Sequence, residues 1–229
     1  MNEIYLSGAY ASNNPDWHED DAAWKAGKIV DILQKNKIHP KSICDIGCGV
    51  GEILRCLSLA LPDCAFTGHE ISPHAYAIAA TKANDRLRFF LGDGLDDKKH
   101  YDVAMAIDVF EHVDDYLGFL RSMRRRAEMK LFHIPLDITA QGVLTGNKLL
   151  AMRNSVGHLH YFTKDTALET LIYTGHHIVD WTYTASSYES PGSRSKRKWL
   201  TLARRAMFSL RPDLAVRMLG GYSILALCK

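Results

Sequence analysis

Apolar and polar positions follow two rhythms along the 229-residue chain. Near the start, Ala22, Ala26, Ile29 and Leu33 recur at steps of three and four, which predicts a helix with one buried face. From residue 42 short, almost continuous apolar runs take over. "SICDIG", "CAFTGHEI", "LRFFLGD", "YDVAMAID" and "KLFHIPLD" read as strands buried on both faces. Helical segments separate most of them: "EILRCLSLAL", "SPHAYAIAATKAND" and "DDYLGFLRSMRRRAEM". Ser72 is placed as an N-cap with Pro73 in the first helical position. Thr163 and Gly175 bound a further helix, "TKDTALETLIYTG", and "HHIVDWTYTA" and "GYSILALCK" supply two last strands. Strands alternating with helices predict an α/β chain with a mostly parallel sheet covered on both faces.

The pattern also divides the chain. One domain is expected over residues 1–229, with an N-terminal lid and helix at 1–41 and a ligand-binding core at 42–137. The rhythm weakens over 138–162, as in a lid or binding insertion. A basic amphipathic insertion, 187–219, precedes the last strand.

Composition narrows the class. A hydrophobic fraction of 47% with mixed charges supports a sizeable core and excludes wholesale disorder. No run approaches the roughly 18 apolar residues of a membrane-spanning helix, and the first residues lack the regions of a secretory signal, so a cytoplasmic address is expected. The five cysteines, 44, 48, 56, 64 and 228, contain no CxxC pair, which argues against a disulfide framework or zinc knuckle. Charge is uneven: from Gly192 onward nine Lys/Arg face one acid, Asp213, so this end carries +8 and the remainder, +2 − 8, carries −6. Trp199, Leu202, Ala206 and Leu210 stand there at helical spacing, with Arg194, Lys196, Arg197, Lys198, Arg204 and Arg205 around them. Residues 194–217 suit a peripheral contact with an anionic membrane surface, an acidic partner, or their own domain. Nucleic acid is not expected, since no RNA-binding module is recognisable and the body of the chain is acidic.

The candidate chemistry begins at "ICDIGCGVGEI". A glycine-rich turn between strand and helix lets backbone N–H groups approach a ligand. A phosphate-binding P-loop would need GxxxxGK[ST], which this loop lacks. A dinucleotide loop would want a third glycine where Glu52 stands, and a carboxylate there repels a pyrophosphate. That weakens a nicotinamide-dependent oxidoreductase without removing it.

The acid followed by GxGxG, here Asp45, Gly47, Gly49 and Gly51, resembles motif I of the class I S-adenosylmethionine-dependent methyltransferases. Glu70, Asp93 and Asp108, ending the next three strands, continue the resemblance, and "AIDVFEHVDD" is similar to the ubiquinone-type O-methyltransferases of the small-molecule branch. The resemblance implies a Rossmann-like, doubly wound sheet of seven strands, the last antiparallel, and S-adenosylmethionine as cofactor. It implies that Asp45 accepts from the cofactor's ammonium, Glu70 from the ribose hydroxyls and Asp93 from the adenine amino group. Cys48, Ile71, Gly94, Asp108 and Val109 join them in the cofactor site, and Lys25 of the N-terminal helix meets the cofactor carboxylate. A cofactor-binding module without catalysis is the remaining alternative.

Methyl transfer is an in-line displacement that needs a base only if the acceptor must lose a proton. His158 and His160 in "GHLHYF" and His112 after the fourth strand are the candidates. His133 reads as structural and His176 with His177 as a strand entrance. The i, i+2 pair His158 and His160 would also suit a metal, but no third ligand stands at supporting spacing, so no metal site is expected. The acceptor expected is a small molecule, methylated on oxygen before nitrogen.

Overall fold

A computed structural model describes residue 17, residues 19–190 and residues 198–229, with side chains omitted at 198–200. Arg194, Lys196 and Arg197, and the side chains of Lys198 and Trp199, therefore lie outside the described residues.

The order of elements is α1 (Ala22–Lys35), β1 (Ser42–Ile46), α2 (Glu52–Ala60), β2 (Ala65–Glu70), α3 (Pro73–Ala80), β3 (Leu87–Leu91), β4 (Tyr101–Ile107), α4 (Tyr116–Met123) and β5 (Ala127–Pro135). Then follow α5 (Ala140–Leu144), α6 (Lys148–Val156), α7 (Lys164–Tyr173), β6 (Ile178–Thr184), α8 (Ser186–Glu189), α9 (Lys198–Leu210), α10 (Pro212–Leu219) and β7 (Ser223–Cys228). The seven strands form one sheet in the order β3-β2-β1-β4-β5-β7-β6. β7 runs antiparallel between β5 and β6, and the remaining pairings, from β3 to β5, are parallel. This is the Rossmann-like sheet with an antiparallel last strand that the resemblance implied.

Successive residues of a strand point to opposite faces, so a sheet covered twice needs apolar side chains at every position. Val103 and Met105 of β4, Leu131 of β5 and Leu225 and Leu227 of β7 pack with Ile29, Leu33, Leu54 and Leu57 on one face. Ala104, Ala106, Phe132, Ile134, Ile224 and Ala226 pack with Phe119, Leu120 and Leu171 on the other. The stripe predicted on α1 is buried at Ala22, Ala26, Ile29 and Leu33. The predicted caps form as well: the Ser72 hydroxyl accepts from Ala75 N–H, and Thr163 closes a capping box with Thr166.

One expectation changes and one alternative is resolved. The helix read through "RRRAEM" ends at Met123, and β5 begins at Ala127, paired with Tyr101. Those residues have good helix propensity, but Arg126 is buried, donates to the Asp97 carbonyl and lies over the Tyr101 ring, and this tertiary anchor turns the chain into the sheet. In α9 the stripe Leu202, Ala206, Leu210 faces outward. The helix docks instead through Met207 and Phe208, the latter stacked on Tyr222 with ring centroids 5.1 Å apart. Among the described residues no helix is long and apolar enough to cross a membrane.

Candidate active site

The glycine loop starts where β1 ends. Gly47, Gly49 and Gly51 have φ of 77°, 55° and 76°, the left-handed region that disfavours a side chain. Two of them are also pressed by neighbours: a Cβ on Gly47 would stand 2.8 Å from Val109 Cγ2, and one on Gly51 2.5 Å from the Phe89 ring. A Cβ on Gly49 would meet nothing within 4 Å. The loop therefore closes against the protein at its ends and opens to free space in the middle.

Glu70 holds that middle in place. Its Oε2 accepts from Gly49 N–H at 2.8 Å and its Oε1 from Ser72 N–H at 2.7 Å, so one carboxylate spans the ends of β1 and β2. Burial pushes its pKa up against the pull of these backbone donors. Ile71, half-buried, follows it at the strand end. Beside it Asp45 is buried, and its Oδ1 meets no hydrogen-bond partner among the described residues. Burial first and Glu70 second raise the Asp45 carboxyl well above the carboxylate range, with Lys25 opposing them. A buried carboxyl oxygen with no protein donor, next to an open glycine loop, fits a ligand that brings a cationic donor. It does not fit a pyrophosphate. Cys48, buried within the loop, is held as a thiol by burial and by Asp45.

Asp93, at the rim, is exposed and accepts from Leu95 N–H at 3.0 Å, while Gly94 packs against the His69 ring. Asp108 has φ 55°, an uncommon value for a residue with a side chain. Its carboxylate takes Lys25 Nζ at 2.8 Å on one oxygen and His133 Nδ1 at 2.6 Å on the other, and His133 Nε2 reaches Thr184 Oγ1 at 2.8 Å. Burial works against the Asp108 charge, but His133 and Lys25 outweigh it and hold its carboxyl far below the usual range. Lys25 and Asp108, both assigned to the cofactor from sequence, thus meet each other and tie α1 to the end of β4. Trp24 and Lys28 of the same helix reach Glu189, at 3.3 and 2.8 Å, so α1 is strapped to both halves of the sheet.

The three candidate histidines separate into two settings. His160 gives Nε2 to the Val113 carbonyl at 3.0 Å and packs its ring 4.3 Å from Tyr116. His112 and His158 lie ring to ring at 4.8 Å. They converge because the Glu111 carbonyl accepts from Leu159 N–H and His160 N–H, at 2.8 and 3.0 Å, which brings the segment after α6 onto the turn after β4. His158 Nδ1 lies 2.6 Å from Asp137 Oδ2, and His112 Nδ1 lies 3.1 Å from the Gly157 carbonyl. Burial, with His158 beside it, lowers the His112 pKa to about 4. Glu111 is fully buried, and among the described residues neither of its carboxyl oxygens finds a hydrogen-bond partner on another residue. Burial and Asp108 raise its pKa well above normal. Glu111, His112 and His158 each bring a ligating atom within 4.8 Å of the others, close enough to hold a metal ion together. Sequence reasoning passed over Glu111 and Asp137. An acid in the apolar run "DVFEHV" was a signal for the first.

A family model described as a methyltransferase domain matches residues 17–174. The chain belongs to this methyltransferase family. Its class I, S-adenosylmethionine-dependent character is thereby the one the glycine loop suggested, and the oxidoreductase alternative falls away. Solved structures share the methyltransferase's fold. One is an S-adenosylmethionine-dependent methyltransferase from Thermotoga maritima, with a TM-score of 0.65, 13% identity and 100% of each chain covered. Another is magnesium protoporphyrin IX methyltransferase from Synechocystis PCC 6803 with bound SAH, with a TM-score of 0.61, 16% identity, and 90% of this chain and 83% of that one covered. A third, in complex with the Haloferax volcanii methyltransferase activator, has a TM-score of 0.65 and 16% identity, covering 100% of this chain and 96% of that one. None of these separates the ubiquinone-type branch from the rest. No curated protein matches the sequence.

Proposed function

We propose that this methyltransferase moves the methyl group of S-adenosylmethionine to an oxygen of a small-molecule acceptor. The observation that carries the reading is the pairing of an open glycine loop with the buried, donor-less Oδ1 of Asp45. The cofactor's ammonium would satisfy Asp45, the Gly49 backbone would lie against it, and Glu70, Asp93 and Asp108 with their neighbours Ile71, Gly94 and Val109 would line its ribose and adenine side. In the transfer a C–O bond would form as the C–S bond breaks, the bonding pair would stay on sulfur as a neutral thioether, and the acceptor's hydroxyl proton would pass to solvent water. His158, with its Nδ1 on the Asp137 carboxylate, supports oxygen over nitrogen, because an alcohol or phenol needs help in losing a proton where a neutral amine does not.

Outside the site, Leu202, Ala206 and Leu210 with Arg205 on the outward face of α9 keep an anionic membrane surface or an acidic partner within this reading. The cytoplasmic address expected from the sequence also stays within it.

Calorimetry with S-adenosylhomocysteine tests the core of the proposal. Asp45→Ala is expected to weaken binding by about 1 to 3 kcal/mol, the worth of a hydrogen bond to a charged group. Undiminished affinity would show that Asp45 does not hold the cofactor.

A further inference from the structure

We propose that Glu111, His112 and His158 form a binding site for a divalent first-row transition-metal cation. The three ligating atoms lie within 4.8 Å of one another, and His112 Nε2 faces Glu111 Oε1 at 3.9 Å. Around a cation with bonds of about 2.1 Å the ligand atoms stand about 3.0 to 3.4 Å apart, so small side-chain rotations close the gap.

Three features beyond proximity point the same way. The first is Glu111, a fully buried carboxyl whose two oxygens meet no donor from another residue among the described residues. Such a group is costly unless a cation or donor reaches it. The second is the outer shell. His158 sets Nδ1 on the Asp137 carboxylate and His112 sets Nδ1 on the Gly157 carbonyl. An Nδ1–H held by an oxygen acceptor fixes the tautomer in which Nε2 carries the lone pair, and that arrangement is characteristic of histidine metal ligands. The third is the backbone joint from Glu111 to Leu159 and His160, which fixes the two halves of the site relative to each other. Asp108, the nearby acid, is already taken by Lys25 and His133 and does not compete.

Two imidazoles and one carboxylate select manganese, cobalt, nickel or zinc over magnesium and calcium, which prefer all-oxygen shells. Three protein ligands leave coordination positions for an acceptor. A hydroxyl bound there would lose its proton to solvent more readily, so the acceptor class becomes an oxygen nucleophile able to ligate a cation. This catalytic consequence rests on the methyl-transfer reading above, whereas the cation site itself does not.

The test is titration of the full-length protein, freed of metal and saturated with S-adenosylhomocysteine, with Co2+. It is followed by calorimetry and by the visible absorption of bound cobalt. One equivalent is expected to bind with a d–d spectrum. Glu111→Gln and His158→Ala are each expected to lose that spectrum and at least tenfold in affinity. Asp137→Asn, a positioning variant, should lose about ten- to hundredfold. S-adenosylhomocysteine affinity, measured in every variant, shows that the fold and the donor site persist. Absence of stoichiometric binding in the wild type, or equal binding by Glu111→Gln, overturns the cation site. Failure of the wild type to bind S-adenosylhomocysteine would instead overturn the methyl-transfer reading, and Co2+ titration without it would still decide the cation site.

Discussion

Lys25 and Asp108, 83 positions apart in the chain, form an ion pair at 2.8 Å that couples the first helix to the end of the central strand. Burial alone would lower the Lys25 pKa, but Asp108 reverses this and leaves it raised. The Lys25 and Asp108 side chains are 15% and 28% exposed, enough burial for the pair to matter to stability as well as to shape.

Replacing the lysine tests that coupling. Lys25→Met is expected to cost about 1 to 3 kcal/mol in urea unfolding, since Asp108 keeps His133 as its second partner. The pH dependence follows from the sign of the Asp108 shift. A carboxyl held below its unfolded value contributes stability above about pH 4 and loses it as the pH falls towards the folded value. The acid-side fall in stability should therefore be shallower in Lys25→Met than in the parent. Identical acid limbs would mean that Lys25 does not set the Asp108 ionisation.

The glycines of the loop should separate by what they touch. Gly47→Ala forces a methyl against Val109 and keeps an unfavourable φ, so a stability loss of about 1 to 3 kcal/mol is expected. Gly49→Ala has the space and pays only the backbone strain, on the order of 1 kcal/mol. Its methyl enters the open side of the loop proposed to hold the cofactor, so S-adenosylhomocysteine affinity should fall more than tenfold. Thermal melts and calorimetry on the two proteins check the contrast, and a reversed ranking would place the ligand elsewhere.

Cofactor binding should release a proton. With its folded pKa raised, Asp45 favours the native state most below about pH 4, and this contribution is lost as the pH rises through the raised value. Between those limits the free protein holds Asp45 protonated, and an arriving ammonium favours the carboxylate. Binding heats measured in buffers of different ionisation enthalpy should then differ, and Asp45→Asn should remove the difference. Buffer-independent heats in the parent protein would rule the mechanism out.

The orientation of α9 gives a further prediction. Leu202 and Leu210 are 71% and 80% exposed, so Leu202→Glu with Leu210→Glu should change stability by less than about 0.5 kcal/mol per site. Phe208 stacks on Tyr222 and meets Tyr183 edge-on, and Phe208→Ala should cost about 1 to 3 kcal/mol. Chemical unfolding distinguishes this helix from one docked through its leucine stripe.

The sheet was legible in the sequence because each strand, buried on both faces, had to be apolar at nearly every position, and because glycine and N-cap residues marked the turns. The geometry of the glycine loop was legible for a related reason. Asp45, Gly47, Gly49, Gly51 and Glu70 are local to two strand ends, and their spacing follows from the geometry of those strands. What the spacing could not carry was pairing across distance. Glu111 and His158 meet through a backbone joint over 40 residues later, and Lys25 finds Asp108 across 83. Which side of α9 meets the domain was not legible either, because periodicity gives the angle between apolar residues but not which side the domain presents to them.

The place of β7 has a consequence for how the chain reaches this state. Its register pairs Lys130 with Cys228 and Ile178 with Cys228, so the seventh strand made is the one that joins the sixth to all the others. Until it leaves the ribosome, β5 is an unsealed edge and β6 has no neighbour, and an unsealed edge is a template for misassembly. The apolar register of β7, buried at all of its positions, must then find its slot in a single late insertion between two waiting strands. The residues that complete the sheet thus set the vulnerable interval in the protein's synthesis.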